Sequence, residues 1–139
     1  MSGYGAQRVL RAFDRPILLA GKMKVIGIVG SRRRNTVDDK EKCRQAFLAI
    51  YEPGDTLVSG GCPRGGDAFC EAFAKEYGIP IKIHKAEWAK YGKIAGIMRN
   101  GDIAKDADVL IAVVAADRTG GTEDTIRKAR KIGKRVVLV

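Results

Sequence analysis

Five short strand-like runs, at residues 25–29, 55–59, 79–84, 109–114 and 135–139, alternate along the chain with stretches of helical periodicity. This alternation limits the fold more than any single motif does, because strand–helix–strand repeats with short connections build a parallel sheet covered by helices. The helices are expected at 37–51, 65–77, about 92–105 and 122–132. In the first, Cys43, Ala46, Phe47 and Ile50 share one face; in the second, Phe69, Cys70, Phe73 and Tyr77 do. Pro53-Gly54 and Gly78 punctuate the first two helix ends. Right-handed crossovers place helices on both faces and gather the loops after the strands along one edge. The expectation is one three-layer α/β domain over residues 23–139, its sheet mainly parallel, of about five strands in the order 3-2-1-4-5. In that order strands one and four flank a switch point where ligands bind.

The 139 residues suffice for one such domain and leave little room for a second. Lys and Arg total 26 against 16 Asp and Glu, a formal charge of +10, which implies an anionic partner. Cys43, Cys62 and Cys70 form no CxxC pair and leave an odd thiol, which suits a reducing compartment, so a cytoplasmic location is expected. The longest apolar run, residues 109–116, is 8 long, against the ~18 to 20 that a bilayer span requires; no membrane partner is expected. His84 is the single histidine, so neither a zinc site nor a Ser/His/Asp set is expected, and no cofactor.

Residues 1–22 differ from the rest. Arg8, Arg11, Arg15 and Lys22 face only Asp14, and Pro16 interrupts any helix. A poorly ordered or non-native extension is expected there, with Met23 opening a segment that reads as a natural start.

Three strands end in loops suited to an anion. The first loop is Gly30-Ser31-Arg32, with Arg33 and Arg34 behind it: a glycine for close approach, a hydroxyl donor and a forked guanidinium. The second runs from Ser59, Gly60 and Gly61 through Cys62, Pro63 and Arg64 to Gly65, Gly66 and Asp67, and leads into a helix whose first turn offers unpaired amides. The third runs through Gly120, Gly121 and Thr122 into the last helix. A plain strand-to-helix turn explains the first loop equally well, and a simple cap by Thr122, with Glu123 and Asp124 favouring the dipole, explains the third. No GK[ST] follows Gly65 and no GxGxxG is present, which argues against kinase and dehydrogenase chemistry.

The segment 86–100 adds Trp88, Lys93, Arg99 and Asn100 at the third strand's exit. Trp88 either stacks on a base or plugs the core rim, the core being the favoured reading; Arg99 and Asn100 either meet a ligand or are solvated. Cys62 is expected to pack, since no base accompanies it.

In this order and spacing, GSR, SGGCPRGGD, AEWAKYGKIAGIMRN and GGTEDTIRKA resemble the SLOG superfamily of Rossmann-like ligand-binding domains, and within it the YspA-like, or cpYpsA-related, branch. The resemblance spans residues 23–139. It implies a Rossmann-like domain that binds a phosphorylated nucleotide or nucleotide-derived signal, ADP-ribose-like, as a sensor or sequestering protein, with homodimers common among its relatives. Ser31, Arg32 and the loop from Gly60 to Asp67 would then grip phosphate. Gly121 and Thr122 would close the far side, Trp88, Arg99 and Asn100 would meet ribose or base, and Asp67 would accept from a ribose hydroxyl.

Two more distant branches imply other functions. Phosphoribohydrolases of the LOG type cleave the N-glycosidic bond of nucleoside monophosphates with a PGGxGTxxE motif and an upstream arginine. Gly121-Thr122 match the GT and Arg99 resembles the arginine, but the glutamate's position is Thr125, with Glu123 and Asp124 one or two residues early. A shift of one or two helical residues turns a carboxylate by about 100 to 200 degrees, so catalysis by Arg99 with Glu123 or Asp124 departs from the pattern. DprA-like DNA-processing proteins carry a strand-two loop similar to SGGCPRGGD and bind single-stranded DNA. The +10 charge suits that, whereas most aromatics fall on apparent core faces and offer few stacking platforms.

Overall fold

A computed structural model describes residues 23–139. The expectations for residues 1–22 lie outside the described residues.

The strands are β1 (Val25–Gly30), β2 (Thr56–Ser59), β3 (Ile81–Ile83), β4 (Val109–Val113) and β5 (Arg135–Leu138). They form one sheet in the order β3-β2-β1-β4-β5 with every pairing parallel, as the alternation requires. The helices are α1 (Val37–Ile50), α2 (Gly66–Tyr77), the single turn α3 (Trp88–Tyr91), α4 (Ala95–Asp106) and α5 (Gly121–Lys131). On one sheet face, Cys43 and Phe47 of α1 and Cys70 and Phe73 of α2 pack on Ile26, Ile28 and Ile111. On the other, Ile103 and Ala104 of α4 and Ile126 and Ala129 of α5 pack on Val29, Val58 and Leu110. All five residues of β4 are buried, the mark of a central parallel strand covered on both faces. The result is a three-layer, Rossmann-like α/β domain.

Local chemistry sets the boundaries. Thr36 caps α1 through a reciprocal box with Asp39, and Gly78 closes α2 in a left-handed conformation, φ 65°. Four expectations are corrected. The strand expected at 79–84 keeps only Ile81–Ile83: the Ile79 amide donates back to the Ala74 carbonyl at the end of α2, and Pro80 has no amide to donate. Asp55 does not extend β2: its buried carboxylate takes the amides of Lys24 and Glu52 and the ammonium of Lys24 at 2.7 Å. The helix expected at about 92–105 is split into α3, a 3₁₀ turn (Gly92–Ile94) and α4. The last helix starts at Gly121 with Gly120 as its cap residue, so Thr122 is its second residue and not its cap.

Candidate functional site

At the carboxyl ends of β1 and β4, where the strand order reverses, lies a cavity of about 430 Å³, within the size range of small-molecule sites. The loop after β1 supplies Gly30, Ser31, Arg32 and Arg33, and the β2–α2 segment supplies Cys62 and Asp67. Helix α4 supplies Arg99, Asn100 and Ile103, and the β4–α5 segment supplies Thr119 to Thr122 and Thr125. Loops far apart in sequence therefore meet around one hollow.

The three consecutive arginines part ways. Arg32 is exposed at the cavity and has no hydrogen-bond or ion-pair partner among the described residues. Arg33 reaches across the mouth to Asp117 in a two-pronged ion pair at 2.9 and 3.0 Å and also donates to the Thr119 hydroxyl and carbonyl. The Arg33 guanidinium and the Thr119 hydroxyl hold the Asp117 carboxyl down at about 2. Arg34 turns away to Asp39 at 2.7 Å and to the carbonyls of Val114 and Val139. Ser31 anchors the turn: its amide donates to the Val113 carbonyl and its hydroxyl accepts from the Arg33 amide.

On the β2 side the glycines are required by packing. A Cβ on Gly66 would overlap the Val29 carbonyl group, and one on Gly65 (φ 77°) would overlap the Ser31 carbonyl. The start of α2 thus rides on the end of β1 with no side chain between them. Gly61 also has positive φ, 77°, with Ile83 behind it. Ser59 is fully buried; its hydroxyl donates to the Asp67 carbonyl at 3.3 Å and accepts the Gly61 amide at 3.2 Å. Asp67 is buried, and one of its carboxylate oxygens accepts the Cys62 amide at 3.1 Å. Burial pushes its carboxyl up to about 6, with the Cys62 amide and the nearby Arg99 guanidinium pulling the other way.

Arg99 is fastened in the wall: it donates to the Gly60 carbonyl at 2.8 Å and to the Asn100 side-chain oxygen at 3.2 Å. Asn100 in turn donates to the Gly121 carbonyl and to Asp124. No side chain caps the first turn of α5; the Glu123 amide donates to the Gly120 carbonyl, and Gly121 and Thr122 line the hollow.

Of the residues singled out from sequence, Gly30, Ser31, Arg32, Asp67, Arg99, Asn100, Gly120, Gly121 and Thr122 line the cavity. Ser59, Gly60, Gly61, Arg64, Gly65 and Gly66 do not; apart from the exposed Arg64, they shape the loop beneath it. Lys93 is exposed outside the cavity. Trp88 is no core plug: it is 56% exposed, its ring edge against Gly96. The two carboxylates considered for hydrolysis also stay outside. Glu123 pairs with Arg118, and Asp124 pairs with Lys128 at 2.5 Å and with Asn100. Thr125, in the glutamate's place, lines the hollow and is buried. Sequence reasoning missed Thr119 and Arg33's bridging role, because their pairing spans 86 residues and leaves no local signature. Cys62 lines the cavity with its thiol half-buried, whereas Cys43 and Cys70 are core residues. No group of side chains able to hold a metal occurs among the described residues, and no helix there is long and apolar enough to cross a membrane.

No family model matches the chain. Among curated proteins, the Gene 61 protein of Mycobacterium phage D29 is 32% identical over 90 residues, an overlap covering 60% of this chain and 70% of the phage protein. With identity at that level over most of the phage protein's length, this chain belongs to the same family as the Gene 61 protein.

Proposed function

We propose that the protein binds a phosphorylated nucleotide derivative of ADP-ribose-like chemistry in the switch-point cavity and acts as a sensor or sequestering protein. One observation carries this reading: Arg32, without a partner among the described residues, and the first turn of α5, which no side chain caps, border the same hollow. A guanidinium is a forked phosphate donor, and a helix start adds oriented amides and a favourable dipole. The resemblance to SLOG domains supplies the word nucleotide. The carboxylates outside the cavity favour binding over hydrolysis, since neither Glu123 nor Asp124 lines it and each is paired with a cation.

Titration calorimetry with ADP-ribose tests the reading. Binding is expected in the micromolar range, and Arg32→Ala should weaken it about tenfold or more without changing the unfolding midpoint. Absence of binding by ADP-ribose and by AMP would refute it.

A second reading, single-stranded DNA binding of the DprA kind, gains one observation. Trp88 is exposed, as are Ile94, Ile97 and Met98, in a segment that also carries the exposed Lys90 and Lys93, and an exposed indole in a basic segment can serve as a stacking platform. Oligonucleotide affinity that falls steeply with salt, together with indifference to mononucleotides, would favour it.

A further inference from the structure

Among the described residues, the cavity wall contains a single carboxylate, Asp67, which shares that wall with Arg32, Arg33 and Arg99. Asp67 is 7% exposed, and its carboxylate accepts from the Cys62 amide at 3.1 Å. A carboxylate offers about four acceptor positions, so the Cys62 amide leaves capacity for a donor arriving from the hollow. Gly60 makes the arrangement possible: a Cβ there would stand 2.8 Å from an Asp67 oxygen and 2.9 Å from the Arg99 Cδ. Arg99, tied to the Gly60 carbonyl and to Asn100, serves as a fixed wall and not as a mobile cation.

Resting on the function proposed above, we infer that Asp67 is the specificity-determining group of the cavity. It admits a phosphorylated ligand through neutral sugar hydroxyls and turns away the same ligand when one of those hydroxyls is itself phosphorylated. The anionic end lies at Arg32 and the first turn of α5, and the hydroxyls face Asp67. A second phosphate at that end would meet a carboxylate withdrawn from water, where like charges repel far more strongly than at the surface. The other charged or titratable groups around Asp67 are Glu71 and Cys70 on α2, the Cys62 thiol on its loop, Arg99 from α4, and Arg32 and Arg33 across the hollow. Burial outweighs them, yet with its carboxyl at about 6 Asp67 carries its charge at neutral pH.

The test compares AMP with adenosine 2′,5′- and 3′,5′-bisphosphate by calorimetry at about pH 7.5. Wild-type protein is expected to bind AMP about tenfold or more tightly than at least one bisphosphate, and Asp67→Asn, which keeps an oxygen for the Cys62 amide, should shrink the gap to about threefold or less. A second measurement needs no variant: 2′,3′-dideoxy-AMP should bind the wild type about tenfold more weakly than AMP. Equal affinity for AMP and both bisphosphates, full discrimination in Asp67→Asn, or undiminished binding of the dideoxy compound would each overturn the inference while leaving the proposed function standing. Failure of AMP and ADP-ribose alike would remove both.

Discussion

The starts of α2 and α5 look alike in sequence, each a glycine pair leading into a helix after a strand, and the structure gives them opposite physical reasons. At α2, Gly65 and Gly66 lie directly against backbone of the β1 turn, so no side chain fits. At α5, nothing lies within 4 Å of a Cβ on Gly120, and only the Asn100 amide, at 3.9 Å, approaches one on Gly121. The first pair is glycine because two backbone segments touch; the second borders open space at the cavity. A glycine-rich loop therefore marks either close approach, as at Gly66, or a left-handed backbone, as at Gly120 with φ 107°, and only the surroundings tell which.

Substitutions turn this contrast into measurements. Gly66→Ala is expected to cost more than about 4 kcal/mol or to prevent folding, seen as loss of a cooperative urea transition. Gly121→Ala should change stability by less than about 1 kcal/mol while weakening ADP-ribose binding. Near-normal stability of the first variant, or collapse of the second, would break the comparison.

Asp67 sharpens it through pH. Burial raises its carboxyl from 3.8 to about 6, so the folded protein keeps a proton there that the unfolded chain releases. This contribution to stability is whole below about pH 4 and is lost as the pH rises through about 6. Asp67→Asn removes that loss, and should be more stable than wild type by roughly 2 kcal/mol at pH 7.5 and about equal to it at pH 4. A stability difference that ignores pH would contradict the assigned burial.

The smallest expected effect is at the mouth. Arg33 and Asp117 are more than half exposed, and solvent screens such pairs. Arg33→Ala should leave the thermal midpoint near that of wild type, while limited proteolysis reads faster cleavage of the 117–120 segment.

The sheet was legible because its cause is repetitive: five strand runs and intervening helices force parallel pairing, and the expected order agrees with the one observed. Much of the cavity was legible for the same reason, since that topology brings the β1 and β4 loops together. What escaped depends on distant partners. The roles of Arg32, Arg33 and Arg34 cannot be told apart from three identical neighbours; Asp117 and the Val139 carbonyl assign them. A lone tryptophan reads more readily as a plug at the core rim than as a stacking surface, but the single turn that carries Trp88, cut off from α4 by the 3₁₀ turn at Gly92–Ile94, has no buried residue. Thr122 reads as a cap residue until Gly120, with φ 107°, takes that place.

The seam where α2 rests on β1 has a mechanical consequence. Main chain pressed on main chain cannot slide without steric collision, so that side of the hollow behaves as the fixed jaw of a vice. The opposing jaw, Asp117 to Gly121, is held by side-chain contacts that solvent can replace. The hollow's width is therefore fixed firmly on the first side and loosely on the second.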